Sequence, residues 1–192
     1  TGLSVREHGY KGNILSFEPQ KEAYNKLLKN SYNDPKWKIY EKCGLGKNGF
    51  KKINISKNSV SSSFLEMENL HLDTNPHSKF IKKEDVKIIS LNEVFIKEKK
   101  SFKNNFLKID AQGYEKEVLE SGENILDNFT GISCEISVQP LYKGEAKFLD
   151  IINYLIAKGF EIYSIHNSYY EIDYGQTFSV DIVFLKKELF IN

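Results

Sequence analysis

Three acidic residues lie at or near the ends of predicted β-strands, where the side chains of an α/β protein can meet in one cleft. Glu18 closes an apolar run and precedes a proline, Asp110 closes a second run, and Glu135 lies inside a third. In an open α/β sheet, ligands bind outside the carboxyl ends of the strands. The pattern therefore predicts that these carboxylates share a ligand-binding cleft.

Each of these acids also has a purely structural interpretation. Two carboxylate oxygens match two adjacent hydroxyl donors, so Glu18 is a candidate for binding a ribose, but an acid in this position also serves as a turn or cap residue. Asp110 precedes Gln112 and Gly113 at a strand-to-helix corner, where the glycine lets the main chain approach a ligand and where the same side chains can cap the helix. Glu135 has apolar neighbours, and an unpaired buried carboxylate is costly, so we predict that it has a partner or a catalytic task.

The elements that must position these residues alternate short apolar runs with amphipathic segments. This alternation predicts an α/β fold with helices on both faces of a mostly parallel sheet. The apolar spacing predicts helices over residues 20–31 and 145–158. The β-rich runs that follow predict an antiparallel arrangement at the sheet edge, over residues 160–165, 169–172 and 180–186. No internal repeat or linker appears, so residues 1–192 are expected to form one domain.

The composition excludes several classes of protein. The chain has 192 residues with 27 basic and 26 acidic side chains, so it lacks the basic field that non-specific nucleic-acid binding requires. Cys43 and Cys134 lie in apolar runs and are expected to be buried side chains rather than a disulfide. The four histidines have no zinc-binding spacing, and no apolar run reaches the ~20 residues that span a bilayer. We therefore expect a cytoplasmic protein without a metal site and without nucleic-acid or membrane partners.

Several blocks of the sequence, taken in order, resemble the FkbM family of S-adenosylmethionine-dependent methyltransferases. They are SFEP at 16–19, LKIDAQGYEKEVLESG at 107–122, ISCEIS at 132–137 with PLY at 140–142, GF at 159–160 and DIVF at 181–184. The resemblance implies a Rossmann-like class I methyltransferase fold of seven strands with the last one antiparallel. It also implies transfer of a methyl group from S-adenosylmethionine to a hydroxyl of a carbohydrate or natural-product acceptor.

Carried onto this sequence, the resemblance assigns Glu18 to the cofactor ribose, Asp110 to the methyl-donor end, and Cys43 and Gly44 to the adenine contact. Gly2 matches the final glycine of the family's glycine-rich first loop, and we expect the first strand and the rest of that loop to be missing from this chain. A truncated or degenerate methyltransferase-like module, acting without catalysis in a glycan or polyketide assembly, is therefore an alternative. Another dinucleotide-binding Rossmann enzyme is a weaker one; Gly44, Gly46 and Gly49 have the G-x-G-x-x-G spacing, but they are predicted to mark turns between strands.

Methyl transfer to a neutral alcohol needs a base that takes its proton during attack. Asp110 and Glu135 are the candidate bases, and Gln112 and Glu115 are candidates for orienting the acceptor or the base. Glu115 also fits an exposed first-turn acid that interacts with the helix dipole.

Two further features have open interpretations. Residues 57–83 predict a long surface loop, and the serine run at 61–63 within it is either part of a lid over the acceptor or a flexible connection. Tyr142 is able to stack on a sugar face or to pack in the core.

Overall fold

The computed structural model describes residues 2–98, 104–171 and 175–190. Within these ranges the α-helices are α1 (Gly2–Glu7), α2 (Lys21–Ser31), α3 (Asn69–Thr74), α4 (Leu91–Glu98), α5 (Glu115–Ser121) and α6 (Phe148–Ala157). The strands are β1 (Ile14–Ser16), β2 (Trp37–Ile39), β3 (Gly44–Leu45), β4 (Gly49–Ser56), β5 (Phe80–Ile89), β6 (Asn105–Ile109), β7 (Phe129–Ser137), β8 (Phe160–Tyr170) and β9 (Thr177–Lys186). The fold is therefore of the α/β class, as the sequence predicts.

The strands form three sheets. Strands β1 and β2 pair with each other, β5 lies between β3 and β4, and the largest sheet has the order β6-β7-β9-β8. Within the described ranges, β1 pairs only with β2, and β6 pairs only with β7. One edge of each of these strands is therefore left without a ladder partner in the described structure.

The prediction of a mostly parallel sheet is wrong, but the antiparallel arrangement predicted for the last runs of the chain is found at the edge of the largest sheet, where β8 pairs with β9. Three strand pairs are parallel and three are antiparallel among the residues that the structure describes. The last strand, β9, is antiparallel to both neighbours but lies inside the sheet, and β8 is at the edge. The short connection between β8 and β9 favours this arrangement, because consecutive strands joined by a short turn pair antiparallel.

The predicted loop over residues 57–83 is only partly a loop. Strand β5 begins at Phe80, and the segment contains α3 and the short 3-10 helix Pro76–Ser78. The predicted runs at 160–165 and 169–172 belong to the single strand β8 as far as Tyr170, and residue 172 lies outside the described residues. Strands β5 and β8 are longer than predicted because pairing with β4 and β9 extends them over polar residues that show no apolar alternation.

The main hydrophobic core lies against the four-stranded sheet. Helix α6 buries Ile151, Ile152 and Leu155, which share one face of the helix at near-helical spacing. Helix α5 buries Val118 and Leu119 in the same core. These helices therefore hold the sheet from one face and leave the carboxyl ends of β6 and β7 available for a site.

Candidate functional site

The structure brings Asp110 and Glu135 together at the carboxyl ends of neighbouring parallel strands. Strands β6 and β7 pair with Ile109, the last residue of β6, opposite Cys134, so that Asp110 directly follows β6 and Glu135 is the next residue of β7. The side-chain amide of Gln112 connects the two acids. Its Nε2 donates to Asp110 Oδ1 at 3.0 Å and to Glu135 Oε2 at 2.9 Å. We call Asp110 and Glu135 the carboxylate pair.

Glu135 has a set of hydroxyl donors besides the amide of Gln112. The hydroxyls of Ser168 and Ser179 donate to its Oε1 at 2.6 Å and 2.8 Å. Burial raises the pKa of Glu135, and the charge of Asp110 raises it further. A carboxyl in this state accepts a proton more readily than a free one does, which suits a general base.

Glu115 fixes the main chain that presents Gln112. Its Oε1 accepts the N–H of Ala111 at 2.8 Å and the N–H of Gly113 at 3.2 Å. Between these amides the backbone turns through left-handed conformations, with φ of 52° at Gln112 and 90° at Gly113. The side chain of Glu115 is buried, with 4% of the residue exposed, so its interpretation as an exposed first-turn acid is wrong. Burial raises its pKa to about 8.

The serine run at residues 61–63, here called the serine segment, packs against the same corner. All three serines are buried. The Ser63 hydroxyl donates to the carbonyl oxygen of Gln112 at 2.6 Å. The Tyr142 hydroxyl lies 2.8 Å from Gln112 Oε1 and 3.1 Å from the Ser61 carbonyl oxygen, and either oxygen is able to accept its hydrogen bond. The segment is therefore an ordered part of the site, and its interpretation as a flexible connection is wrong.

Glu18 lies on the other side of the serine segment. Its Oε1 accepts the backbone N–H of Gln20 at 2.8 Å, which gives it the turn-residue role, while its other oxygen has no hydrogen bond to any described residue. Burial raises its pKa. The Gln20 side chain accepts a hydrogen bond from the Ser62 hydroxyl at 3.2 Å. A chain of contacts thus connects Glu18 with the carboxylate pair through the serine segment.

The remaining site residues predicted from the sequence lie away from the carboxylate pair. Gly2 begins α1, and a Cβ atom there would lie 2.0 Å from the Trp37 ring, so the helix approaches that ring closely. Cys43 is fully buried. Gly44 lies in β3, where a Cβ atom would lie 2.8 Å from Phe64. Because the Cys43 side chain faces the core, only the main chain at this position is available for a contact with an adenine ring.

A small depression lies beside the carboxylate pair. Its lining includes Gln112, Glu115, Glu135, Tyr142 and Ser179. The room inside it is about 10 Å³, close to what one water molecule needs. The depression therefore suits one small functional group of a ligand, such as a hydroxyl, rather than a whole cofactor.

Some functional residues were not predicted from the sequence. Ser168 and Ser179 come from the two strands at the far side of the sheet and reach Glu135 only through the pairing of β7 and β9 and of β8 and β9. The alternation of Ser133, Glu135 and Ser137 along β7 marks a polar face, and this signal could have pointed to such partners. Among the described residues, no group of three or more His, Cys, Asp or Glu side chains has the geometry of a metal site, and no helix is long and apolar enough to cross a membrane.

Comparison with known proteins gives one match. The family described as "Methyltransferase FkbM domain" matches residues 2–162, which includes the carboxylate pair, Gln112 and Glu18. No curated protein matches the chain, and no solved structure matches it. Because the family match spans well over half of the sequence, the chain belongs to the FkbM methyltransferase domain family.

Proposed function

We propose that this chain is an S-adenosylmethionine-dependent O-methyltransferase that acts on a hydroxyl of a carbohydrate or natural-product acceptor. One observation carries the proposal: the carboxylate pair, bridged by Gln112, lies at the carboxyl ends of adjacent parallel strands in a member of the FkbM family. The position of β9, antiparallel between β7 and β8, supports the Rossmann-like arrangement that the family implies.

The residues present fit S-adenosylmethionine at two points. Glu18 has one carboxylate oxygen without a hydrogen bond to any described residue, which leaves it available for a ribose hydroxyl. The carboxylate pair places negative charge where a sulfonium would be stabilised. When bound, S-adenosylmethionine supplies an electrophilic methyl group.

The chain's own residues orient the acceptor and take its proton. An acceptor hydroxyl in the depression beside Glu135 is able to donate a hydrogen bond to that carboxylate. The raised pKa of Glu135 makes it a stronger base than an ordinary carboxylate. Gln112 holds Asp110 and Glu135 at a fixed separation, so the base does not need to reorganise during attack. Methyl transfer is an in-line displacement, in which such positioning contributes much of the rate.

Binding of S-adenosylhomocysteine, measured by isothermal titration calorimetry, tests the proposal. We expect the chain to bind, and we expect Glu18→Gln to weaken binding by about tenfold, because a hydrogen bond to a charged group contributes roughly 1.5–3 kcal/mol. The matched control is Glu22→Gln, which changes an exposed acid in α2 and should leave the affinity unchanged.

Two results would count against the proposal. Equal affinities for the Glu18→Gln variant and the unmodified chain would remove Glu18 from the cofactor site. Absence of any binding by the unmodified chain would favour the alternative hypothesis of a methyltransferase-like module without catalysis.

A further inference from the structure

We propose that Tyr142 is a positioning residue, which fixes the side-chain amide of Gln112 with its NH₂ group facing Asp110 and Glu135. The inference rests on the proposed function, because the orientation of this amide matters to methyl transfer only if the carboxylate pair acts on the acceptor. It assigns Tyr142 a role through its hydroxyl rather than through ring stacking on a sugar.

The geometry around Gln112 leaves one consistent orientation for its amide. The Tyr142 hydroxyl lies 2.8 Å from the amide oxygen, and the amide nitrogen lies 3.0 Å and 2.9 Å from the two carboxylates. Reversing the amide would place its oxygen against two acceptor oxygens. The carboxylate pair therefore favours this orientation while both acids are ionised. The Tyr142 hydroxyl supports it by donating to the amide oxygen, which lies closer than its other acceptor, the Ser61 carbonyl oxygen at 3.1 Å.

The contribution of Tyr142 becomes distinct once Glu135 takes a proton. A protonated carboxyl is itself a donor, so without Tyr142 the amide is free to turn and present its oxygen to that proton. The tyrosine hydroxyl opposes this turn, because the turn replaces its 2.8 Å hydrogen bond to the amide oxygen by the longer one, 3.1 Å, to the Ser61 carbonyl oxygen. Asp110 opposes the turn as well, because it would lose the donor at 3.0 Å, and this contribution is the same with and without Tyr142. Tyr142 thereby disfavours the protonated form of Glu135 and keeps the base ready to return the proton to solvent.

Tyr142 is itself firmly held. Its residue is 2% exposed, and its ring packs edge-on against His71 at a centroid distance of 5.2 Å. Burial raises the pKa of Tyr142, so the hydroxyl keeps its proton. Together with the Ser63 hydroxyl on the Gln112 carbonyl, these contacts fix both the main chain and the side chain of Gln112.

Other charged groups also act on Glu135 and have to be held constant in a test. They are Lys108 from β6, Asp110 from the loop that follows it, Glu115 from α5 and Asp181, which pairs with Glu135 from β9. Glu145, which precedes α6, acts on Tyr142 itself. Tyr142→Phe alters none of these side chains. It also keeps the aromatic ring in the core, so it removes only the hydroxyl.

The experiment is a ¹³C NMR titration of the Glu135 side-chain carboxyl in the full chain without ligand. We expect the midpoint to rise by about one pH unit in Tyr142→Phe, because the firmly held donor is lost. We expect no shift when the same substitution is made in a Gln112→Ala background. The matched control is Tyr154→Phe on α6, which removes a buried hydroxyl that has no hydrogen-bond partner among the described residues and should leave the midpoint unchanged.

An unchanged midpoint in Tyr142→Phe, or an equal shift in the Gln112→Ala background, would overturn the inference. If Tyr142→Phe does not fold, the ¹⁵N-labelled unmodified chain provides the test. Slow exchange of the Gln112 side-chain NH₂ protons above and below the Glu135 midpoint would support the fixed orientation, and rapid exchange below it would overturn it. None of these measurements requires the cofactor, so failure here is distinct from failure to bind S-adenosylhomocysteine.

Discussion

Replacing Glu115 by glutamine tests whether the buried carboxyl behind Gln112 makes folding dependent on pH. Burial raises its pKa to about 8, against an ordinary value of 4.5, so the folded chain holds this proton more tightly than the unfolded chain. Such a group stabilises the fold fully below about pH 4.5, and the stabilisation is lost as the pH rises through about 8. The difference of about 3.5 pH units corresponds to an upper limit of about 5 kcal/mol.

Glutamine at this position keeps the acceptor and removes the titration. Its Oε1 is able to accept the same N–H groups of Ala111 and Gly113, so at pH 5 we expect the free energy of unfolding to lie within ~1 kcal/mol of that of the unmodified chain. Between pH 5 and pH 9 the unmodified chain should lose several kcal/mol more than Glu115→Gln. Urea unfolding at each pH, followed by the fluorescence of Trp37, the single tryptophan, measures this difference.

Other buried acids make the comparison between variants essential. Burial also raises the pKa values of Glu18, Glu135 and Glu145, so part of the pH dependence should persist in Glu115→Gln. The matched control is Glu120→Gln, on the same helix, where 53% of the side chain is exposed, and it should follow the unmodified chain. The same slope of stability against pH in Glu115→Gln and in the unmodified chain would refute the reasoning.

Two further predictions concern packing. Gly113→Ala should lower the free energy of unfolding by about 1–3 kcal/mol more than Gly144→Ala. Both glycines have positive φ, but only a Cβ atom at position 113 would lie 3.0 Å from Tyr142. Equal losses of stability in denaturant unfolding would contradict that close approach. Cys43 and Cys134 are 0% exposed, and burial raises the pKa of both thiols. A thiol reagent should therefore label them only after denaturant is added. Rapid labelling of the native chain would show that the core is open to the reagent.

The sequence predicts best those elements whose pattern is local. The helices predicted over 20–31 and 145–158 correspond to α2 (Lys21–Ser31) and α6 (Phe148–Ala157), because an apolar stripe at helical spacing needs no knowledge of distant residues. The large share of antiparallel pairing was not predicted. It depends on which strands meet, and periodicity within a strand carries no information about its partner.

The candidate site follows the same division. The meeting of Asp110 and Glu135 was predicted, because acids at the ends of neighbouring strands converge once the strands pair in register. The burial of Glu115 was not predicted, since an acid in the first turn of a helix usually faces solvent. Here the left-handed backbone at Gln112 directs the amides on either side of it toward the carboxylate. The buried contacts of the serine segment were likewise not predicted. Its composition is typical of a loop, and its hydrogen-bond partners are distant in sequence.

The serine segment connects two of the sheets. The main chain of Ser63 forms a two-way bridge with Asn54 in β4, while its hydroxyl reaches the Gln112 carbonyl beyond β6. Detachment of β4 from β5 would therefore withdraw a support from the carboxylate pair on a different sheet. Strand β4 and the carboxylate pair should open as one cooperative unit, and deuterium uptake at the Asn54 amide would report on the integrity of a site that Asn54 does not contact.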